Sequence, residues 1–493
     1  MSNGERARRV IAEICSRGVQ EFCVCSGSRN APLLAVLAVT RGIRLYSFVD
    51  ERSAAFFALG RAKLTRRPAA VVTTSGTAAA ELLPAAIEAH YSGTPLVLVT
   101  ADRPARYRGT GAPQAIVQDT LFGRYAADGV AGWDGASALH VNVEFDEPLI
   151  DEPIVPWDVA CDLPRRPRRG AVPPPPLRFA NPIVIVGGLL ADERAAVRDF
   201  ALRLNAPLYA EPLSGLREDP ALSDLLITSG ERMIARGGFD GVVRIGNVPA
   251  IRFWRDLDES HSALPVVSFS RLDFPGLGRG EVWPIEGLDA AVFERRPRNS
   301  DLFAADRSKN ECLQRILDEE PQSELAMIRS LSRELPDGAR VYLGNSLPIR
   351  EWDLTATRDN RGFAVEANRG ANGIDGQLST FFGQCAEGAD NVAVLGDLTA
   401  LYDLNAPWVV PQLDPGVRFR IVIVNNRGGR IFERVGSLRP LPADVRSRVI
   451  DNAHDLHFHS WAAMFGLGDA VSELRPDLDA SRRAWQRYEA LWV

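Results

Sequence analysis

Short runs of apolar, largely β-branched residues recur along the chain and end abruptly in small or polar residues. One such run covers residues 392–395 and is followed by a Gly-Asp pair that ends at Asp397. Another covers residues 421–424 and is followed by an Asn pair that ends at Asn426. Continuous apolar runs of this length are typical of parallel strands that are buried on both faces. Because ligands collect at the carboxyl ends of parallel strands, the pattern predicts an α/β fold with its chemistry at those ends.

The polar residues after these two strands are suited to a metal site. An Asp carboxylate and an Asn carbonyl oxygen are hard oxygen ligands for Mg²⁺, which usually completes its octahedron with phosphate oxygens and water. Asp397 and Asn426 supply these two groups, and the backbone carbonyl of Gly428 supplies a third oxygen. The alternative interpretation is that both pairs only form turns after strands, which is common for these residue types.

Composition is compatible with a soluble globular enzyme of several domains and argues against some other classes. A length of 493 residues predicts about three domains. The chain is 46% hydrophobic and 24% charged, with no apolar stretch near the roughly 20 residues that a membrane span requires. A formal net charge of −6 argues against a nucleic-acid partner. The start of the chain has no apolar signal region, so we expect a cytoplasmic protein.

Arginine provides nearly all the positive charge. Lysine occurs only at positions 63 and 309, so a Schiff-base mechanism has few candidates and a Gly-Lys-Ser/Thr phosphate loop has none. Arginine also binds carboxylates better than lysine does, because its planar fork donates two parallel hydrogen bonds. Any anionic ligand is therefore expected to meet local arginines.

The strand pattern divides the chain into three doubly wound parallel-sheet domains. The predicted domains are residues 1–165, 178–305 and 322–493, and each alternates strand-like runs with helical segments. A Pro- and Arg-rich stretch at 164–176 predicts an extended, exposed linker.

The Gly-Asp and Asn-Asn pairs, with their long spacer, resemble the signature of thiamine diphosphate (ThDP) enzymes. The resemblance implies a ThDP-binding fold with pyrimidine, middle and diphosphate domains. It also implies that Asp397, Asn426 and the carbonyl of Gly428 hold Mg²⁺ or Mn²⁺ against the cofactor's diphosphate, with Gly396 beside them.

Glu51 lies between the strand-like LYSFV and a helical segment, where burial would raise its pKa. From the residues alone, Glu51 is equally a helix N-terminal carboxylate that interacts with the dipole. The resemblance implies that it is the catalytic Glu, which shares a proton with the cofactor's pyrimidine nitrogen across a subunit interface. It further implies that Ser75, Gly76 and Thr77 approach the cofactor and that Ile374 supports its bent conformation.

Ordered matches along the chain resemble one family within the ThDP enzymes. The matching strings are SGSRNAPL, FVDERSAAFFALG, VVTTSGTAAAELLPA, TADRPARYRGTGAPQAI, GNSLPIR, NRGANGIDG, GDLTALYDLNA and NNRGGRIF. They are similar to those of 2-succinyl-5-enolpyruvyl-6-hydroxy-3-cyclohexene-1-carboxylate (SEPHCHC) synthases. That family decarboxylates 2-oxoglutarate and adds the four-carbon unit to isochorismate in menaquinone biosynthesis. The resemblance implies a homodimer or homotetramer.

The same resemblance implies a set of residues that bind the two carboxylate-rich substrates. The polar members are Arg29, Arg103, Gln114, Arg252, Ser346, Arg350 and Arg369, and the apolar wall is Ile431, Phe432 and Val435. Arg252 replaces the family's usual Lys, and Ser26, Asn30, Pro113 and Asn372 also depart from its pattern. Two alternatives therefore stay open: another ThDP-dependent decarboxylase or carboligase, and a catalytically impaired paralogue.

Overall fold

The structure is a computed structural model that describes residues 1–161, 174, 176–294, 300–438 and 440–493. The predicted linker at 164–176 therefore lies almost entirely outside the described residues.

Three separate stretches of chain each form a parallel sheet, which confirms the predicted doubly wound α/β class. The strands of the first stretch are β1 (Glu21–Cys25), β2 (Thr40–Arg41), β3 (Arg44–Phe48), β4 (Ala69–Thr73), β5 (Leu96–Asp102), β6 (Ala126–Asp128), β7 (Ala138–Glu144) and β8 (Trp157–Asp158). Those of the second are β9 (Pro182–Val186), β10 (Leu208–Ala210), β11 (Gly241–Ile245), β12 (Val266–Phe269) and β13 (Val282–Trp283). Those of the third are β14 (Arg340–Leu343), β15 (Ala364–Glu366), β16 (Asp390–Gly396), β17 (Arg418–Val424) and β18 (Val471–Leu474).

Helices connect these strands and cover the sheets. They are α1 (Asn3–Cys15), α2 (Ala31–Val39), α3 (Glu51–Thr65), α4 (Thr77–Ala80), α5 (Leu83–Ser92), α6 (Arg194–Leu204), α7 (Arg252–Glu259), α8 (Ser300–Glu319), α9 (Glu324–Glu334), α10 (Leu347–Thr355), α11 (Gln377–Gln384), α12 (Asp397–Tyr402), α13 (Ala443–Val449), α14 (His459–Met464) and α15 (Leu478–Ala490). The exact domain boundaries remain a prediction.

Strand order shows where ligands are expected to bind. The first sheet has the order β3-β1-β4-β5-β7-β6, the second β10-β9-β11-β12-β13, and the third β15-β14-β16-β17-β18. In each sheet the order reverses beside its first strand, and the crevice at that reversal opens at the carboxyl ends of the strands. In the third sheet the reversal lies between β14 and β16, directly before Asp397.

Helices of the first and third stretches pack closely against each other. Two glycines make this possible: a Cβ at position 60 in α3 would lie 2.2 Å from the Thr380 carbonyl oxygen, and a Cβ at position 383 in α11 would lie 2.2 Å from the Phe57 carbonyl oxygen. Ser53 and Ser379 also pair through their hydroxyls at 3.0 Å. The first and third sheets therefore share one continuous hydrophobic core.

Candidate active site

Asp397 and Asn426 lie at neighbouring strand ends, as the sequence predicts. β16 and β17 pair in parallel, with Gly396 opposite Val424, so the residues that follow each strand emerge at one edge of the sheet. The Asp397 side chain is buried, and its Oδ2 accepts a hydrogen bond from the Gly428 N–H at 2.9 Å. Burial raises the pKa of Asp397, while the bonds from backbone N–H groups oppose the rise.

The side-chain oxygen of Asn426, at the neighbouring strand end, has no hydrogen-bond partner among the described residues. Its Nδ2 donates to both carboxylate oxygens of Glu324, at 3.1 and 3.0 Å. Its Oδ1 is buried and has no hydrogen-bond partner among the described residues. This oxygen is therefore available to coordinate a ligand. The donor set of one carboxylate and one amide oxygen fits a hard divalent cation.

The backbone at Gly428 adopts a conformation that only glycine accepts easily. Its φ is +124°, and a Cβ there would lie 2.5 Å from the Asp451 carbonyl oxygen. The Gly428 carbonyl accepts one hydrogen bond, from the Arg430 N–H at 2.9 Å, which leaves a second lone pair for another partner. The third predicted ligand is thus held by the backbone itself.

His454 also lies beside the same carboxylate. Its Nε2 is 3.2 Å from Asp397 Oδ2, and its Nδ1 accepts a hydrogen bond from the Leu456 N–H at 3.1 Å. Nδ1 is thus turned toward its own backbone, and Nε2 faces Asp397. Within the described residues, no group of three or more His, Cys, Asp or Glu side chains forms a metal cluster.

Glu51 is the first residue of α3, directly after the strand β3 and a helix cap. The Asp50 side chain accepts a hydrogen bond from the Ser53 N–H at 3.1 Å and so fixes the start of the helix. Glu51 is half-buried, and burial raises its pKa, with Asp50 and Glu81 adding to the rise. The expected direction of the pKa shift is therefore present.

The loop after β4 brings together residues that the sequence assigns to cofactor and substrate. Gly76 has a φ of +88°, and a Cβ there would lie 3.1 Å from the Cα of Gln114. Its N–H donates to the buried side chain of Gln118 at 2.9 Å. Ser75 is buried and Thr77 is exposed. Gln114 also has a positive φ of 56°, so both sides of this contact have unusual backbone conformations.

Asn345 is a residue that sequence reasoning missed, and it joins two predicted substrate loops. Its buried Nδ2 donates to the carbonyls of Asn368 at 2.8 Å and Gly373 at 2.7 Å, while its Oδ1 accepts from Arg369 Nη1 at 2.9 Å. Ser346 follows with a φ of +76°, which is strained for a residue with a side chain. The structure thus brings Ser346 and Arg369 together.

Glu88 in α5 is a second residue that the sequence did not single out. Its buried carboxylate accepts hydrogen bonds from the N–H groups of Gly370 at 2.8 Å and Ala371 at 2.7 Å. Lys63 donates to the Ala367 carbonyl at 3.0 Å. The first sheet's helices therefore hold the loop that contains Arg369 and the half-buried Ile374.

The remaining arginines fall into different parts of the molecule. Arg29 is almost fully buried and donates to the Phe145 carbonyl at 3.0 Å, while Arg103 follows the end of β5. Arg350 is exposed and donates to the Ser346 carbonyl at 2.6 Å. Arg252 is exposed at the start of α7 and pairs with Asp256 at 3.3 Å.

The predicted residues thus form two groups on one chain, one around the first sheet and one around the third sheet (the third-sheet group), with Arg252 apart from both in α7. Across the described ranges, no hydrogen bond or ion pair joins Arg29, Arg103 or Gln114 to the third-sheet group. Ile431, Phe432 and Val435 belong to that third-sheet group: they lie half-buried in and after the 3₁₀ helix Arg430–Arg434, which follows the Asn pair.

A cavity of about 420 Å³ opens beside Arg369 and Gly370. Arg244 in β11 lies at its wall and is fully buried, and none of its guanidinium nitrogens has a hydrogen-bond partner among the described residues. Burial lowers the pKa of Arg244 to about 10. Its guanidinium lies over the ring of Trp254, 5.7 Å from the centroid.

Comparison with known proteins assigns the chain to a family. Residues 5–121 match the family described as "Thiamine pyrophosphate enzyme, N-terminal TPP binding domain", thiamine pyrophosphate being another name for ThDP. A SEPHCHC synthase of Bdellovibrio bacteriovorus is 41% identical over 100% of both chains. Those of Akkermansia muciniphila and Geobacillus thermodenitrificans are 40% and 34% identical, over 93% and 84% of this chain and 89% and 80% of their own. The chain therefore belongs to the SEPHCHC synthase family of thiamine pyrophosphate enzymes.

Proposed function

We propose that the protein is an active SEPHCHC synthase. It decarboxylates 2-oxoglutarate with ThDP and adds the resulting four-carbon unit to isochorismate in menaquinone biosynthesis. The single observation that best supports an intact catalytic centre is the unpartnered Asn426 Oδ1 at the strand end beside that of the Asp397 carboxylate, because these two oxygens together are ligands that suit a hard divalent cation.

Asp397, Asn426 and the Gly428 carbonyl are proposed to hold Mg²⁺ or Mn²⁺ against the cofactor's diphosphate, beside Gly396. Ser75, Gly76 and Thr77 are proposed to lie against its pyrimidine side, and Ile374 to support its shape. When bound, ThDP supplies the nucleophilic carbon and the electron sink that decarboxylation of a 2-oxoacid requires. The protein's own contribution is to bind, orient and exclude water.

Glu51 is proposed to exchange a proton with the cofactor's pyrimidine ring. A carboxyl whose pKa is raised by burial holds a proton closer to neutral pH, which suits a group that must give and take it during turnover. The negative charges of Asp50 and Glu81 raise the pKa of Glu51 further, because they repel its ionised form.

The two substrates present four carboxylates, so the site requires several cations. The proposed cations are Arg29, Arg103, Arg252, Arg350 and Arg369, with Gln114 and Ser346 as polar partners and Ile431, Phe432 and Val435 as the apolar wall. Each charge-assisted hydrogen bond contributes about 1.5–3 kcal/mol, so several are sufficient to hold both substrates.

We further propose that the active unit contains at least two copies of the chain. Glu51 and the metal-binding residues would then meet across the interface, which fits the absence of a direct bond between the two groups in the described part of one chain. An exposed apolar surface near Glu51 supports this proposal: Val49, Tyr402 and Trp408 are 63%, 50% and 45% exposed. The Trp408 indole N–H donates to the Ser47 carbonyl at 2.9 Å, so this surface spans the first and third sheets.

Mixing two inactive variants tests the shared site. When equal amounts of Glu51→Gln and Asp397→Asn protein exchange subunits, half of the resulting dimers contain one subunit of each variant. If the site is shared, one of the two sites in such a dimer contains neither substitution. Activity should return to roughly a quarter of the wild-type value. If the mixture stays inactive while one variant with an affinity tag co-purifies the untagged other variant, which shows that mixed dimers have formed, the site lies within one chain.

No helix in the described ranges is long and apolar enough to cross a membrane. The proposed location is the cytoplasm, with which the free thiols of all six cysteines are consistent.

The decisive assay uses purified protein with 2-oxoglutarate, isochorismate, ThDP and Mg²⁺, and follows isochorismate loss and the mass of the adduct. We expect an adduct that depends on all four components. Decarboxylation without adduct would instead indicate a ThDP decarboxylase with another acceptor. No reaction at all would indicate a catalytically impaired paralogue.

A further inference from the structure

A buried carboxylate lies directly behind the proposed metal ligand Asn426. Glu324 is the first residue of α9 and only 4% exposed. Its position is fixed at both sides of its backbone: the Ser323 side chain accepts from the Ala326 N–H at 3.2 Å, and the Glu324 N–H donates to Ser481 Oγ at 2.9 Å. The side chain therefore has little freedom.

The chemistry of this contact dictates which way the Asn426 amide faces. A carboxylate only accepts hydrogen bonds, so the amide must turn its Nδ2 toward Glu324, and the observed distances of 3.1 and 3.0 Å to the two oxygens agree. The Oδ1 then necessarily points to the other side. A flipped amide would place two oxygen acceptors against each other in a buried site.

We infer that Glu324 is a positioning residue that orients Asn426, so that its Oδ1 is presented to the divalent cation. The inference depends on the proposed metal site. Partners behind the direct ligands commonly fix ligand orientation in metal sites, and their loss typically weakens metal binding about 10–100-fold.

The surroundings of Glu324 allow it to act as the acceptor. Glu351 lies beside it, fully buried, and burial together with the charge of Glu324 raises the pKa of Glu351 well above its usual range. Burial raises the pKa of Glu324 as well, and its hydrogen bonds with Asn426 and Glu351 oppose that rise. Arg434 is the nearby cation and stacks on Trp485, with its guanidinium 3.2 Å from the ring centroid.

The neighbouring Asn425 offers a matched control. Its Nδ2 donates to Glu473 at 2.8 Å, so it has the same kind of amide–carboxylate pair one residue earlier in the chain. Asn425 is not among the proposed ligands. Replacement of Glu473 therefore removes an equivalent bond without turning Asn426.

The experiment measures metal affinity rather than turnover. Mn²⁺ is titrated into metal-free protein at saturating ThDP, and the concentration of free Mn²⁺ is measured by electron paramagnetic resonance. We expect Glu324→Leu to raise the apparent Kd for Mn²⁺ about 10–100-fold, and Glu324→Gln to raise it less, because glutamine still accepts one bond. Glu473→Gln should leave the Kd within about twofold, and saturating Mn²⁺ should restore turnover in the Glu324 variants.

Three outcomes separate the possibilities. An unchanged Kd in Glu324→Gln and Glu324→Leu, or an equal loss in Glu473→Gln, would overturn the inference. If the wild-type protein itself binds no Mn²⁺ with ThDP, the proposed metal site is wrong and the inference falls with it. If Glu324→Leu does not fold, Glu324→Gln is compared with Asn426→Ala: the double variant should lose no more affinity than Asn426→Ala alone, and a further loss would count against positioning.

Discussion

The guanidinium of Arg52 donates a hydrogen bond to the carbonyl oxygen of Tyr402 at 2.9 Å and stacks over the Tyr402 ring at 4.7 Å. Arg52 is in the first turn of α3, next to Glu51, and Tyr402 ends α12, the helix that Asp397 begins. The helix that contains the proposed acid–base residue is thereby fixed to the helix that contains a proposed metal ligand. A displacement of α12 should therefore change the positions of both Glu51 and Asp397.

Replacement of Glu51 by Gln should lower turnover by about 10²–10⁴-fold, because glutamine keeps the size and loses the proton exchange. Binding of ThDP, followed by quenching of tryptophan fluorescence, should change little. An unchanged rate constant would end the assignment of Glu51 as the acid–base group. A lost affinity for ThDP would instead indicate a binding role.

Replacement of Gly60 by Ala should destabilise the protein by about 1–3 kcal/mol, because the new methyl group has no space against the α11 backbone. Thermal unfolding checks this. Gly436→Ala is the matched control, since nothing lies within 4 Å of a Cβ there and its φ is not positive. Equal melting temperatures for the two variants would show that α3 and α11 do not pack as closely as described.

Arg217→Lys should cost about 2–4 kcal/mol of stability. Arg217 is fully buried and donates to the carbonyls of Trp352, Asp353, Ala356 and Thr357 at the end of α10, a set that lysine cannot reach together. Since α10 contains Arg350, the KM for 2-oxoglutarate should also rise. Arg198→Lys, at a partly exposed ion pair with Asp219 that lysine can also form, should change stability by less than about 0.5 kcal/mol.

Glu211 should make stability depend on pH. Burial raises its pKa from 4.5 to about 7, although Arg369 and the bond from the Ala250 N–H oppose the rise. Between these values the folded protein binds more protons than the unfolded chain, so the contribution of Glu211 is complete below about pH 4.5 and is lost as pH rises through about 7. Melting temperatures across this window should fall less steeply in Glu211→Gln than in the wild type. Parallel curves would refute the shift.

The strand-end residues were predictable because their signal is local. The runs before Asp397 and Asn426 are continuous and apolar, as strands buried on both faces must be, and the polar pairs directly follow them. The order of strands within each sheet could not be read from local sequence. The same holds for the pairing that brings the ends of β16 and β17 together. Short strands such as β10 and β13 lack a run long enough to recognise.

The residues that hold the site in place could not be found in this way. Asn345, Glu88 and Glu324 each act on a residue far away in the chain, and each is an ordinary polar side chain in its own segment. Their hydrogen bonds are important because they are buried away from water, and burial is known only once the fold is known. The close approach at Gly60 likewise depends on a helix more than three hundred residues later.

The contact between Glu88 and Gly370 spans 282 residues, and this separation affects the order in which the protein is assembled. On the ribosome, α5 is complete long before the loop that contains Arg369 exists. Until that loop arrives, Glu88 lacks the two N–H partners and Lys63 lacks the carbonyl that it bonds in the finished structure. A truncated product that ended before this loop would leave Glu88 and Lys63 with each other as ionic partners, at 4.0 Å, and the loop then completes the hydrogen bonding of both side chains.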